Sequence, residues 1–163
     1  MNLLRTIFVA LRAFIFMSAF VSLWAWVALS LRGYDRELGI SLPTWTQIPG
    51  TILMLMGGVL ALTCVALFVV QGRGTPAPFD APREFVAAGP YRCVRNPMYV
   101  GGWVVLIGFG LYLHSGAILL FSLGWLLLAH LFVVFFEEPV LREKFGAAYR
   151  DYCQTVSRWI PRW

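Results

Sequence analysis

Two consecutive glutamates, Glu137 and Glu138, end a long apolar segment of this sequence. Carboxylates are costly to place beside lipid, so such a pair points to ion pairing or to chemistry. An earlier stretch, residues 89–102, places Arg92 and Arg95 among tyrosines just before another apolar segment. Arginine, tyrosine and carboxylate side chains together can hold anions, cations and aromatic ligands. If the two stretches meet, they form a polar site, with charge pairing at the membrane surface as the alternative interpretation.

Common soluble catalytic motifs are absent from the chain. It contains no Walker loop, no H-E-x-x-H zinc motif, no G-x-S-x-G nucleophile elbow and no dinucleotide-binding fingerprint. Its three cysteines follow no C-x-x-C pattern and its two histidines belong to no ligand cluster, so no metal site is predicted. The net charge of +5 arises in separate loops, which indicates membrane orientation and no nucleic-acid partner.

The elements that must position these residues follow first from composition. The chain has 163 residues, of which 60% are hydrophobic and 13% charged, and its mean hydropathy is +0.74. These values indicate an integral membrane protein. The length allows one compact bundle without a separate soluble catalytic domain. We therefore predict a single membrane domain over residues 1–163, with a two-helix scaffold in 1–70 and a cofactor-binding catalytic half in 71–163.

Four apolar segments predict transmembrane helices, because a helix rises about 1.5 Å per residue and the hydrocarbon core is about 30 Å thick. The turn sequence His114-Ser115-Gly116 separates the last two segments, which should therefore form a tight hairpin. The predicted fold class is an all-α integral membrane protein with about four spans. These spans run from Ile7 to Leu31, Ile48 to Val70, Met98 to Leu113 and Ala117 to Phe136.

The segments outside these spans are of two kinds. Residues 71–97 contain five prolines and three glycines, which leaves little room for helix, and residues 84–88 could be extended or form one helical turn. Beyond Glu138, Pro139 predicts the start of a new helix, and apolar residues near helical spacing make it an interfacial amphipathic helix. Three residues are predicted to anchor the tail at the headgroups: Trp159, Ile160 and Trp163.

Charge asymmetry predicts the orientation. The N-terminal residues, the loop 71–97 and the residues from 137 onward hold one, four and five Lys or Arg residues, respectively. The opposite side holds only Arg32 and Arg36. Because cytoplasmic loops are enriched in Lys and Arg, both termini and the loops of the predicted site should be cytoplasmic.

Counting residues along the hairpin predicts which side chains share a depth. With the turn near Ser115 and a rise of about 1.5 Å per residue, Tyr99 is level with position 131 and therefore close in depth to His130. By the same count Glu137 lies about 5 Å beyond Asn96, towards Arg95 and Arg92. His130 and Glu137 are seven residues apart, so they share one helix face.

Two blocks of sequence resemble a known family. One contains Gly89-Pro90-Tyr91-Arg92 and Arg95-Asn96-Pro97-Met98-Tyr99-Val100-Gly101, and the other runs from Glu137-Glu138 through Phe145-Gly146 to Tyr149 and Tyr152. Together they resemble the isoprenylcysteine carboxyl methyltransferase and phospholipid methyltransferase group over about the last 80 residues. The resemblance implies a membrane-embedded methyltransferase that takes S-adenosylmethionine from the cytosol and a lipophilic substrate from the bilayer. Membrane lipids are thus expected partners, and the oligomeric state stays open.

The resemblance also implies roles for individual residues. Glu137 and His130 would be the catalytic residues: Glu137 would orient the nucleophile or act as its base, and His130 would line the acceptor channel. For His130 a purely structural hydrogen bond is the alternative. A sulfonium group is cationic, so tyrosine faces and a carboxylate can hold it, while an arginine can bind the methionine carboxylate. The implied cofactor-binding residues are Tyr91, Arg95, Asn96, Tyr99, Gly101, Gly102, Glu138, Tyr149 and Tyr152.

Two departures from the family pattern limit what is implied. Members commonly have histidine where this chain has Asn96. Asparagine can still form hydrogen bonds to a ligand, but unlike histidine it cannot carry a proton at neutral pH. Carboxyl methyltransferases tend to have arginine at the position of Val133, so the acceptor could be an isoprenylcysteine-like carboxylate, a lipid amine or a thiol. Two alternatives are a nicotinamide-dependent membrane reductase, since sterol reductases look similar here, and a non-catalytic membrane scaffold that retains the pocket.

Overall fold

The structure is a computed structural model that describes residues 3–40, 42–72 and 84–161. The sequence-based predictions for four residues fall outside these ranges: three loop prolines and one tail anchor, namely Pro76, Pro78, Pro82 and Trp163.

The described residues are almost entirely helical, and apart from one isolated bridge they contain no β-structure. Three stretches are long and apolar enough to cross a membrane, and a fourth apolar helix is shorter. The prediction of an all-α integral membrane protein is therefore confirmed, and the predicted helix ends are close to those observed. The helices are α1 (Leu3–Leu31), α2 (Asp35–Leu38), α3 (Gln47–Val70), α4 (Pro97–Tyr112), α5 (Gly116–Phe132) and α6 (Glu138–Thr155).

Glycines let α3 and α4 approach closely. A Cβ atom built on Gly57 would lie 2.5 Å from the carbonyl oxygen of Gly101, and one built on Gly108 would lie 2.6 Å from that of Gly50. Both distances are below any real carbon–oxygen contact, so larger side chains would force the helices apart. Small residues at the crossing replace the hydrophobic driving force that lipid does not provide. The crossing fixes α4, and with it Tyr99 near its first turn.

Hydrogen bonds hold the turn between α4 and α5. Asp35 Oδ1 accepts hydrogen bonds from Ser115 Oγ at 3.0 Å and from the Ala117 N–H at 2.9 Å. Ser115 Oγ in turn accepts from the Ile118 N–H at 3.2 Å, as an N-cap does. The carboxylate of α2 therefore caps α5 and ties the hairpin turn to the end of α1.

The junction of α5 and α6 differs from the prediction. Pro139 lies in the first turn of α6, as predicted. However, α6 is not a separate helix, because a π-helical turn, Val133–Glu137, joins it to α5 in one continuous helical path. In this turn the Glu138 N–H bonds to the Val133 carbonyl five residues back. A π turn widens the backbone ladder locally, and such turns often occur at functional sites. The helical path bends instead at Gly146, whose φ of 54° suits glycine.

Candidate functional site

Glu138 is the centre of a charged cluster at the start of α6. The residue is only 3% exposed. Arg158 donates to both of its carboxylate oxygens, from Nε at 2.7 Å and from Nη2 at 3.1 Å. Arg95 Nη1 and Arg142 Nη2 each lie 3.3 Å from a carboxylate oxygen. We call these four residues the Glu138 cluster; three guanidinium groups against one carboxylate leave two positive charges in excess.

The three arginines contribute unequally. The Arg142 side chain is 60% exposed, so water screens its ion pair, which contributes little. The Arg95 side chain is only 10% exposed, and its Nε is buried without a hydrogen-bond partner among the described residues. The hydrogen bond to Glu138 raises the pKa of the Arg158 guanidinium above its ordinary value. The cluster therefore stays cationic and can accept an anionic ligand beside Arg95.

Glu137 faces a different partner. Tyr99 donates its phenolic hydrogen to Glu137 Oε2 at 2.9 Å, across the α4–α5 hairpin. Among the described residues Glu137 forms no ion pair, although the adjacent Glu138 forms three. The two stretches singled out in the sequence do meet, and the π turn directs the two glutamates to different partners. Arg92, in contrast, is exposed and forms no ion pair within the described ranges.

Trp159 lies inside this site, which corrects its predicted role as a headgroup anchor. Its indole Nε1 donates to His130 Nδ1 at 2.9 Å. Its ring packs at 78° against Tyr99, with centroids 6.4 Å apart. The residue is half-buried, because its indole contacts helices α4 and α5. Ile160 is 75% exposed, and its predicted anchoring role stays a prediction.

The tail segment, residues 156–159, is held against the start of α4. Val94 and Ser157 form a parallel bridge, and the Arg95 N–H donates to the Ser157 carbonyl at 2.8 Å. Asn96 is buried, and its side-chain amide donates to the Arg158 carbonyl at 3.2 Å. This contact gives Asn96 a structural role that the sequence did not predict. The tail thereby brings Arg158 and Trp159 to Glu138 and His130.

Tyr91 anchors the preceding loop to α3. Its ring packs with Cys64 and Val86 and meets Phe68 edge-on, with centroids 5.5 Å apart. Burial, followed by the proximity of Cys64, raises the pKa of Tyr91 far above its ordinary value, so the phenol stays protonated. Its backbone carbonyl accepts a hydrogen bond from the Tyr152 hydroxyl at 2.5 Å. These contacts explain Tyr91 structurally, and its predicted cofactor role stays a prediction.

An aromatic wall, formed by Phe85 and residues of α6, lies close to Arg95. Phe85 contacts the rings of Phe145, Tyr149 and Tyr152 at centroid distances of 5.3, 5.9 and 5.1 Å. Arg95 Nη1 donates to the Cys153 sulfur of the same helix at 2.7 Å. The predicted residues Tyr149 and Tyr152 are therefore close to Arg95, and Phe85 and Cys153 join them.

Gly101 and Gly102, which were predicted to let the cofactor approach closely, lie instead at contacts between helices. A Cβ atom on Gly101 would lie 2.8 Å from the Gly57 carbonyl oxygen, so Gly101 serves the crossing of α3 and α4. A Cβ atom on Gly102 would lie 3.4 Å from the Trp125 ring. The close approach that these glycines permit is between helices, and neither has a described contact with Glu137 or Glu138. The sequence motif does not distinguish the two kinds of close approach.

A second aromatic group links α1 to the site. Trp24 meets Trp125 at 90°, with centroids 6.3 Å apart, and Trp125 contacts Tyr99 at the same distance. The predicted division into scaffold and catalytic half assigned no site role to α1.

Sequence reasoning also missed Arg158 and Trp159 as site residues. Their only signal in the sequence is a basic and an aromatic residue side by side in the tail.

A shallow surface depression of about 430 Å³ lies at the opposite end of the bundle. It is lined by Leu29, Arg32, Gly33 and Arg36. None of these side chains can act as a base or a nucleophile at neutral pH. This depression therefore offers no catalytic side chain.

Comparisons with known proteins agree with this architecture. The profile of the phospholipid methyltransferase family matches residues 45–148, more than half of the chain, which include Tyr99, Glu137 and Glu138. The fold is similar to that of a eukaryotic intramembrane Ras methyltransferase, isoprenylcysteine carboxyl methyltransferase, with a TM-score of 0.63 and 23% identity. The match covers 88% of this chain and 53% of that protein, so the chain spans about half its length. No curated protein matches the sequence significantly.

Proposed function

The chain belongs to the phospholipid methyltransferase family, and from that premise we propose that it transfers a methyl group from S-adenosylmethionine to a lipophilic acceptor. Family and fold together indicate a membrane methyltransferase. The observation that carries the proposal of S-adenosylmethionine-dependent transfer is that the two adjacent carboxylates have different kinds of partner. Glu138 organises a cationic cluster, whereas Glu137 has a phenol as its partner and no cation among the residues that the structure describes.

The side chains present fit S-adenosylmethionine. Arg95 has a buried Nε without a described partner, and the Glu138 cluster has an excess of positive charge for the methionine carboxylate. The faces of Tyr99 and Trp159, with the carboxylate of Glu137, suit a cationic sulfonium. In the aromatic wall, the half-buried rings of Phe85 and Tyr152 are the candidates to contact the adenine, whereas Tyr149 is buried behind them.

S-adenosylmethionine, held by Arg95 and by the faces of Tyr99 and Trp159, would supply an electrophilic methyl group to the acceptor's lone pair. The electrons of the broken carbon–sulfur bond would remain on sulfur. The chain's contribution is position and exclusion of water, which dominate in-line displacements. The Tyr99 hydroxyl orients Glu137. We assign to Glu137 the proton that the acceptor loses on methylation.

The acceptor class follows from what surrounds Glu137. Val133, where carboxyl methyltransferases tend to have arginine, is 1% exposed and packed inside the protein. An acceptor carboxylate would find no cation there and would face the Glu137 carboxylate. This arrangement favours an amine or a thiol, which can give a proton to Glu137, over an isoprenylcysteine-like carboxylate.

Binding and transfer assays test the proposal. Calorimetry on the purified protein in detergent should detect binding of S-adenosylmethionine and of its demethylated product. Labelled S-adenosylmethionine with a total membrane lipid extract should yield a labelled lipid. Glu137→Gln should abolish transfer, whereas Glu143→Gln, an exposed change on α6, should not. Binding of a reduced nicotinamide cofactor without binding of either methionine derivative would overturn the assignment in favour of a reductase.

We also propose that the Glu137 end is cytoplasmic. Cys93 is exposed beside this site, whereas Cys64 is buried. In inside-out vesicles, a membrane-impermeant maleimide should therefore label the wild-type protein more strongly than Cys93→Ala. In right-side-out vesicles the two proteins should be labelled equally. Cys93-dependent labelling in right-side-out vesicles only would show the reverse orientation.

A further inference from the structure

The chain contains two histidines, and the structure gives the Nδ1 atom of each a different kind of partner. His130 Nδ1 lies 2.9 Å from the indole Nε1 of Trp159. His114 Nδ1 lies 3.1 Å from the hydroxyl oxygen of Thr46. Because a neutral imidazole has one protonated and one unprotonated nitrogen, each partner determines where the ring proton lies.

Trp159 determines the tautomer of His130. An indole N–H can only donate a hydrogen bond, so His130 Nδ1 must accept it and must be unprotonated. The proton of the neutral ring is then on Nε2, which has no hydrogen-bond partner among the described residues.

His114 has the opposite tautomer. The Thr46 hydroxyl has a single hydrogen and lies 2.7 Å from the Pro43 carbonyl oxygen and 2.9 Å from that of Leu111. Carbonyl oxygens only accept, so the hydroxyl donates to one of them and accepts from His114 Nδ1–H. The two rings thus have opposite tautomers, and each can serve as an internal control for the other.

We propose that Trp159 is a positioning residue that holds His130 as a hydrogen-bond donor, and that His130 Nε2–H binds an oxygen atom of the acceptor's polar group. Trp159 also packs on Tyr99, whose hydroxyl contacts Glu137. His130 lies about 10 Å from Glu137 along the helix, towards the bilayer centre. This donor selects acceptors that carry a phosphate ester or carbonyl oxygen beside the nucleophile. It also removes His130 from the candidate bases and leaves Glu137.

The tautomers can be measured directly, without methyl transfer. In protein labelled with ¹⁵N-histidine and held in detergent at about pH 8, where imidazole is ordinarily neutral, NMR should show two rings. His130, assigned by its loss in His130→Gln, should have a protonated Nε2, and His114 a protonated Nδ1. Trp159→Phe should convert His130 to a mixture of tautomers and leave His114 unchanged, which also shows that the variant is folded. The control Trp45→Phe alters an exposed tryptophan and should change neither ring.

A protonated Nδ1 on wild-type His130, or a His130 pattern unaffected by Trp159→Phe, would overturn the tautomer assignment. The donor role has its own test, which rests on the proposed function. With a total membrane lipid extract as acceptor, His130→Leu should lower transfer about tenfold, the effect of one lost hydrogen bond. His130→Gln keeps an N–H donor and should retain most activity, and neither variant should change S-adenosylmethionine affinity.

The outcomes separate the two proposals. If His130→Leu transfers methyl groups as fast as the wild type, or if His130→Leu and His130→Gln lose equal activity, the donor role is contradicted. The proposal of methyl transfer is unaffected by either result. Absence of S-adenosylmethionine binding in the wild type removes the proposed function and the donor role, while the NMR result still decides the tautomer.

Discussion

An acidic side chain lies beside a helix terminus at each end of the bundle, and the two are satisfied in different ways. Asp35 accepts hydrogen bonds from a hydroxyl and a backbone N–H, both neutral donors at the start of α5. Glu138 is matched by three guanidinium groups, one of which has a buried nitrogen without a described partner. The Asp35 contacts resemble an ordinary helix cap, whereas the Glu138 cluster has an excess of positive charge. We expect that excess to hold an anionic ligand, which the Asp35 contacts could not do.

The largest effect is expected at the centre of the charged cluster. Glu138→Ala removes the carboxylate that neutralises buried Arg95, which should cost about 3–5 kcal/mol of stability. Thermal unfolding in detergent should show the loss, with Glu143→Ala as the exposed control on the same helix. Equal melting of the two variants would show that Arg95 does not depend on Glu138.

Glu137→Gln should separate catalysis from stability. The amide can still accept from Tyr99 but cannot take a proton, so transfer should fall about 100-fold or more while the unfolding temperature changes little. Labelled methyl transfer and thermal unfolding on the same preparation measure both. A variant that transfers normally would remove Glu137 from the chemistry.

Asp35→Ala probes the opposite end. Loss of the cap on α5 should lower stability by about 1 kcal/mol and leave S-adenosylmethionine affinity unchanged. Calorimetry measures the affinity, and thermal unfolding measures the stability. A weakened affinity would mean that the Asp35 end and the Glu138 end of the bundle are coupled.

Arg142→Gln should have the smallest effect. Its ion pair with Glu138 is exposed, so the change in stability should be at most about 0.5 kcal/mol. Arg158→Gln, which removes the two-point contact with Glu138, should be clearly more destabilising. Equal effects in thermal unfolding would argue that exposure does not rank these arginines.

Much of the fold could be predicted from the sequence because hydropathy acts locally. Each apolar run must satisfy its own backbone within lipid, so it becomes a helix whose ends lie where polar residues begin. The same reasoning brought the start of α4 to the same end of the hairpin as Glu137, since a short turn forces two helices to run back along each other. Its residue count, however, put Tyr99 level with position 131, whereas the structure pairs Tyr99 with Glu137. Pro139 does lie in the first turn of α6, but the helix break expected before it is absent, because the π turn Val133–Glu137 continues the helical path from α5.

The sequence by itself determined the helices, the hairpin and the identity of the acidic pair. Only the tertiary structure decided that Arg158 and Trp159 return to Glu138 and His130, that Asn96 holds the tail, and that Gly101 serves the α3–α4 crossing. The physical reason is range. Helices depend on contacts within a few residues, whereas the tail reaches its partners through a kink at Gly146 and a backbone bridge to Val94, which no local pattern encodes.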